Sequence, residues 1–108
     1  MNDIKGDAVL IKAFNQVCNE LGIMTKLQQV ILPSDNIPEL VFELSNTQRE
    51  HISLMLKIVN KLYEKGNDYL FVAHWLNTEN HYFNGKPVDV CVSLSGAQGV
   101  YLYLVHVT

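Results

Sequence analysis

The longest regular pattern in this chain is an apolar stripe within residues 47–65. Apolar and aromatic residues recur there at steps of three and four, which places their side chains on one face of an α-helix. Ser45 or Asn46 can cap the start of this helix, and the Lys65-Gly66-Asn67 sequence suits its end. The stripe must be covered by other elements, and it consists of Ile52, Met55, Leu56, Val59, Leu62 and Tyr63.

Three shorter helices are predicted before the long one. Residues 4–21 have helical spacing and stop at Gly22, and residues 25–32 end before Pro33, which cannot continue a helix. Ser34 or Asp35 can cap a third short helix that reaches Leu44. The apolar positions of these helices are Ile4, Ala8, Ile11, Phe14, Val17, Cys18 and Leu21 in the first, Leu27, Val30 and Ile31 in the second, and Ile37, Leu40, Val41 and Leu44 in the third.

The C-terminal segment allows two interpretations. A fifth helix is predicted at about residues 68–76, where Leu70, Phe71 and Trp75 are its large apolar residues. Residues 100–107, VYLYLVHV, favour a strand by propensity, but no other segment offers a partner strand. We therefore predict a helix that starts near Ser95, with one face formed by Ala97, Val100, Tyr101, Leu104 and Val105.

These elements predict an all-α, single-domain bundle of five to seven helices. At 108 residues the chain is large enough for one core and too small for two. Residues 1–66 form a helix-turn-helix-like part with the long helix, residues 67–108 form a second part, and the two are expected to pack as one compact unit. No apolar run approaches the roughly 20 residues that span a bilayer.

The start of the chain and its cysteines indicate a cytoplasmic protein. The first residues, MNDIKGD, contain no basic region followed by an apolar stretch, so we predict no secretory signal. Cys18 and Cys91 lie far apart in apolar surroundings, which is typical of reduced core residues.

Catalytic signatures are missing from the sequence. It has no P-loop glycine pattern, paired-cysteine zinc spacing or HExxH motif. His74 and His81 are seven residues apart without a nearby third ligand, so they are weak candidates for a metal site. Each of the four histidines is better interpreted as hydrogen-bonded or exposed. We predict neither an enzyme nor a bound cofactor or metal.

A DNA-binding regulator is the main alternative, because three short helices in residues 4–44 fit a helix-turn-helix. The charges oppose this function. Residues 24–44 contain one base, Lys26, against three acids, and the chain has a net charge of −3 without a Lys/Arg cluster. Acids on a recognition helix would repel DNA phosphates. These acids are Asp35, Glu39 and Glu43.

The stretch 74–90, HWLNTENHYFNGKPVDV, is unusually polar and aromatic for its place between two apolar segments. Trp75 is expected to anchor a helix end, Phe83 to fold inward, Gly85 to adopt a positive φ, and Pro87 to start the next helix. The other side chains suit a recognition loop, because tyrosine and amide groups give contact area and adaptable hydrogen bonds. The candidate contact residues are Asn77, Asn80, His81, Tyr82, Asn84 and Lys86.

Residues 68–105 resemble the toxin-binding domain of the Xre/MbcA/ParS antitoxins. One departure is Glu79, which stands where that family usually has proline; another is the front end, which lacks the bases of its DNA-binding members. The resemblance implies an antitoxin that binds a RES-domain, NAD⁺-consuming toxin, covers its active site, and forms a homodimer through the helix 47–65 or the terminal helix. A protein-interaction module without a toxin remains an alternative. The matching positions are Ala73, Trp75, Leu76, Thr78, Asn80, Phe83, Gly85, Lys86, Pro87, Asp89, Gly96 and Val100.

Overall fold

The computed structural model describes residues 4–22, 24–32, 44–66 and 68–106, with side chains in the first helix from Gly6 onward. Within these ranges the chain forms six helices and no strand, which confirms the predicted all-α bundle. The third short helix predicted before Leu44 lies outside the described residues, and so does most of the segment that would carry a recognition helix. The helices are α1 (Ile4–Leu21), α2 (Thr25–Ile31), α3 (Asn46–Gly66), α4 (Tyr69–Leu76), α5 (Pro87–Val90) and α6 (Leu94–His106).

Helix α3 is the centre of the bundle, because α1, α2, α4 and α6 all pack against it. Its start is fixed by a capping box. The Gln48 N–H donates to Ser45 Oγ at 3.1 Å, while the Ser45 N–H donates to Gln48 Oε1 at 2.8 Å. Of the two caps that the sequence allows, Ser45 therefore fills this role. The buried α3 side chains are His51, Ile52, Met55, Ile58, Val59 and Leu62.

Helices α1 and α3 run side by side in the same direction. Asp7 near the start of α1 contacts Arg49 near the start of α3. Near the ends of the same two helices, the Tyr63 hydroxyl of α3 donates to Glu20 of α1 at 3.2 Å. Gly22 then adopts a left-handed φ of 71°, which ends α1 as predicted and reverses the chain into α2. Helix α2 returns across the start of α3, where Gln48 Nε2 donates to the Ile31 carbonyl at 2.9 Å.

A buried ion pair joins these two helices at their starts. The Asp7 side chain is fully buried, and both of its oxygens accept hydrogen bonds from Arg49, from Nε at 2.7 Å and from Nη2 at 3.0 Å. The Leu44 N–H donates to Asp7 Oδ2 at 3.0 Å, so the same carboxylate also fixes the chain entering α3. The Arg49 hydrogen bonds hold the pKa of Asp7 below its usual value, against the opposing effect of burial.

Three apolar side chains expected to face the core are exposed instead: Val30 at 49%, Leu70 at 63% and Val105 at 41%. Val30 and Leu70 are adjacent in sequence to the buried Ile31 and the half-buried Phe71, and they face the uncovered sides of short helices. Val105 is exposed because α6 is rotated about its axis relative to the orientation that the sequence predicted. The buried face of α6 is centred on Ala97, Val100 and Leu104.

The terminal segment is helical, as predicted, since α6 extends to His106. It packs along α3 in the same direction: Gln98 Nε2 donates to Glu50 at 3.1 Å, and Lys57 Nζ lies 6.0 Å from the centroid of the Tyr101 ring. In the part of the chain that the structure covers, no helix combines the length and apolar character that crossing a bilayer requires.

Candidate functional site

Helix α4 leads into the polar stretch 74–90, which begins in the last turn of the helix. Asp68 caps the start of α4 by accepting the Leu70 N–H at 2.6 Å. At the other end the Asn77 N–H donates to the Ala73 carbonyl at 3.0 Å, and Thr78 Oγ1 donates to the His74 carbonyl at 2.6 Å. These two bonds satisfy carbonyls of the last turn, so the chain leaves the helix with a defined direction.

Residues 80–85, which we call the recognition loop, form a closed turn. The Asn80 N–H donates to the Gly85 carbonyl at 2.9 Å, and the Phe83 N–H donates to the Asn80 carbonyl at 3.1 Å. Asn80 Oδ1 accepts the Tyr82 N–H at 2.9 Å, which is an Asx turn. Both the main chain and the side chain of Asn80 thus form hydrogen bonds within the loop. The loop is preorganised by its own hydrogen bonds.

The predicted positive φ at Gly85 is wrong. Asn84 carries the left-handed conformation, with φ of 57°, whereas Gly85 pairs with Asn80 in an isolated antiparallel β-bridge. The bridge requires Gly85 to be extended, so the reversal of the chain falls on the residue before it. Asparagine tolerates this conformation better than other non-glycine residues.

Two rings of the loop pack against two rings from α4 and α6, and we call the four the aromatic cluster: Trp75, Tyr82, Phe83 and Tyr103. Phe83 is half-buried as predicted, with its ring centroid 6.5 Å from Trp75 and 5.2 Å from Tyr103, both in edge-to-face geometry. Trp75 is also only half-buried, although it packs against the core. The cluster fixes the recognition loop between the ends of α4 and α6.

Tyr82 is the most exposed member of the cluster. Its ring centroid lies 4.5 Å from that of Tyr103 and 5.0 Å from that of Phe83, yet 69% of the residue faces solvent. The ring is therefore held in place on one side and open on the other. A binding partner would therefore contact an aromatic side chain whose rotamer is already restricted by packing.

The predicted contact residues divide into two groups. Asn77, His81, Tyr82 and Asn84 are exposed, as the sequence suggests. Asn80 and Lys86 are half-buried, because Asn80 holds the loop together and Lys86 precedes α5, where its carbonyl accepts the N–H of Asp89 at 2.9 Å. Three of the accessible side chains, His81, Tyr82 and Asn84, lie on the recognition loop itself, whereas Asn77 lies at the end of α4. A shallow depression lies beside them, lined by Glu79, Asn80, His81, Asn84 and Gly85.

Short helix α5 ties the loop back to the core. Pro87 is buried at its first position, as predicted. The buried His51 of α3 places Nε2 2.8 Å from the Cys91 carbonyl, just after α5. Gly96 allows α6 to approach closely, since a Cβ atom there would overlap the Val90 carbonyl oxygen. These contacts hold both flanks of the loop against α3 and α6.

Tyr103 is the member of this site that the sequence interpretation missed. The sequence interpretation placed Tyr101 on the buried face of the last helix and did not name Tyr103 among the contact residues. A usable signal was present, because Tyr103 lies seven residues after Gly96, which shares its side of the helix. In the structure that side faces α5 and the recognition loop.

The two cysteine thiols are withdrawn from this surface. Cys18 and Cys91 are both buried, as predicted, and burial raises the pKa of each thiol to about 12. Among the described residues no three His, Cys, Asp or Glu side chains converge to hold a metal ion. What the recognition loop offers is rigid aromatic area with amide and imidazole hydrogen-bonding groups.

The sequence matches no protein-family model and no curated protein.

Proposed function

We propose that this protein is a cytoplasmic antitoxin that binds a RES-domain, NAD⁺-consuming toxin through the recognition loop. The observation that carries the proposal is the combination of a hydrogen-bonded loop with an exposed aromatic residue at its tip. Asn80 closes the loop with bonds at 2.9 and 3.1 Å, while Tyr82 remains 69% exposed. A preformed surface of this kind loses little conformational entropy when a partner binds.

The resemblance of residues 68–105 to the toxin-binding domain of Xre/MbcA/ParS antitoxins supports this choice of partner. Several matching positions have an architectural reason in this chain: Leu76 and Val100 are buried, Pro87 starts α5, and Gly96 permits close packing. The exposed residues between them are the ones available to a partner. Inhibition would be steric, with the loop covering the toxin's cleft, and it requires no catalytic group from this chain.

Co-expression with a RES-domain protein encoded beside it in the same genome tests this proposal. The wild-type chain should co-purify with that protein and suppress its NAD⁺ consumption in a dose-dependent manner. Tyr82→Ala should weaken inhibition by about tenfold or more, as expected for a central aromatic contact. Active toxin in the presence of excess, folded wild-type chain would rule the proposal out.

Tyr69→Ala is the matched control for this experiment. Tyr69 is 51% exposed at the opposite end of α4 from the recognition loop. Its removal takes away a similar ring from a different surface, so inhibition should be unchanged. Equal losses for the two variants would place the contact elsewhere.

A further inference from the structure

Three asparagines lie in the recognition loop or just before it, and their side chains have different surroundings. Asn80 is half-buried, and its Oδ1 accepts a main-chain N–H within the loop at 2.9 Å. Asn77 is exposed and precedes a threonine, whose side chain branches at Cβ. Asn84 is also exposed, and it precedes Gly85, which makes the only asparagine–glycine pair in the sequence.

The groups around this pair leave it open. Within the described ranges the Asn84 side chain makes no hydrogen bond, and it lines the shallow depression where Glu79 and His81 are the titratable neighbours. A Cβ atom built at Gly85 would meet no heavy atom within 4 Å, so nothing crowds that residue. The Gly85 N–H donates to the Asn80 carbonyl at 3.5 Å, which is longer than an ordinary N–H···O bond. Water and base can therefore reach both residues of the pair.

We infer that Asn84 is a site of spontaneous modification, at which the side-chain amide becomes a carboxylate through a cyclic succinimide. The Gly85 main-chain nitrogen forms a bond to Asn84 Cγ, the bond from Cγ to Nδ2 breaks, and ammonia leaves with the proton of the Gly85 N–H. Water then opens the ring by adding its hydroxyl to one ring carbonyl carbon and its proton to the nitrogen. Addition at Cγ gives aspartate, and addition at the main-chain carbonyl carbon gives isoaspartate.

The glycine determines which asparagine reacts, because the attacking nitrogen must reach Cγ of the residue before it. A side chain on the attacking residue restricts its backbone angles and hinders the approach, whereas glycine does neither. Asn77 and Asn80 are followed by threonine and histidine, and Asn80 is in addition held by its own hydrogen bond. Conversion should therefore occur at Asn84 before either of the others.

Both products change the recognition loop. Isoaspartate routes the main chain through Cβ and Cγ and so adds a methylene before Gly85, which disrupts the bridge between Asn80 and Gly85. Aspartate adds a negative charge to a depression that Glu79 already lines. Because ammonia is lost, neither change reverses. If the proposed function holds, on which this consequence rests, the modification lowers toxin binding as the chain ages.

Incubation of the purified chain in mildly alkaline buffer tests the chemistry without any toxin. Mass spectrometry of peptides that span residue 84, together with labelling by an isoaspartyl methyltransferase, should find aspartate and isoaspartate there, and more of both at higher pH. Asn84→Gln should remove the signal. Gly85→Ala should slow conversion severalfold and keep the loop, since Gly85 has no positive φ and has room for a Cβ atom. An Asn84 that stays intact while Asn77 converts, or an unchanged rate in Gly85→Ala, would overturn the inference.

Binding of the RES-domain protein tests the consequence. Asn84→Asp should weaken binding severalfold, whereas Asn60→Asp, the same change at an exposed asparagine of α3, should leave it unchanged. Wild-type chain should lose binding during incubation in step with isoaspartate formation, and Gly85→Ala should lose it more slowly. If fresh wild-type chain does not bind, the proposed function fails while the modification still stands on the mass spectra. Full binding by chain converted at residue 84 would overturn the predicted effect of ageing.

Discussion

Two regions of this molecule place side chains against their usual preference for water, in opposite directions. At the junction of α1 and α3, a charged pair is taken out of water: Asp7 is fully buried and receives two hydrogen bonds from Arg49 and one from Leu44. At the recognition loop, an aromatic ring is kept in water, with Tyr82 packed on Tyr103 yet 69% exposed.

The difference shows which region serves stability and which is available for binding. The junction uses a polar group to fix one arrangement of the α1 start, the chain at Leu44 and the α3 start, and its carboxylate has no surface left for a partner. The recognition loop is held by short-range bonds within residues 80–85, so its outward side chains contribute little to the fold. Substitutions in the two regions should therefore have opposite consequences.

Arg49→Met should have the largest effect on the fold. It leaves the Asp7 carboxylate buried without its cation, a change that costs about 3–5 kcal/mol in comparable pairs. Urea unfolding measures the loss. The control is Glu64→Gln, which removes a surface ion pair with Lys61 at 3.6 Å and should change the free energy of unfolding by less than about 1 kcal/mol. Equal effects would mean that the buried pair is not what holds the junction.

Trp75→Ala should have an intermediate effect. Because Trp75 is half-buried and contacts Phe83 and Tyr103, its loss should destabilise the fold by about 2 kcal/mol, below the cost of removing a fully buried tryptophan. It should also weaken partner binding, since the ring supports the recognition loop. Thermal unfolding together with a binding titration separates these effects. A variant with wild-type stability would show that the aromatic cluster does not depend on Trp75.

Acid should also weaken the junction of α1 and α3. The Arg49 hydrogen bonds lower the pKa of Asp7 in the folded state below its ordinary value of 3.8. Its contribution to stability is therefore fully present above pH 3.8 and is lost as the pH falls through the lower, folded-state pKa. Unfolding measured from about pH 5 to about pH 2 should show this loss in the wild type. In Asp7→Asn, which lacks the titrating group, the slope should be shallower, and an identical slope would contradict the assignment.

Local sequence patterns predicted much of this fold. The stripe in residues 47–65, the cap at Ser45 and the stop at Gly22 each depend on residues within a few positions of one another, so periodicity and turn chemistry suffice. The Asp7–Arg49 pair joins residues 42 apart in the sequence. Neither residue has a local pattern that distinguishes it from an ordinary surface charge.

The rotation of α6 escaped sequence analysis for a different physical reason. A helix that is apolar on most sides has no clear polar face to mark its orientation, so Val105 was assigned to the core while Tyr103 was overlooked. The recognition loop was located correctly, but its left-handed residue is Asn84 because the bridge between Asn80 and Gly85 sets the position of the turn. The first error arises from tertiary packing that no short segment specifies, and the second from a hydrogen-bonded bridge within the loop itself.

One measurement tests directly whether the junction serves stability and the recognition loop serves binding. The RES-domain protein is titrated with Arg49→Met and with Tyr82→Ala, at a temperature where both variants are folded. The account predicts that Arg49→Met binds with wild-type affinity despite its lowered unfolding temperature. Tyr82→Ala should unfold within about 1 kcal/mol of the wild type and bind at least about tenfold more weakly. Wild-type affinity in a folded Tyr82→Ala chain would contradict the claim that the recognition loop is the binding surface.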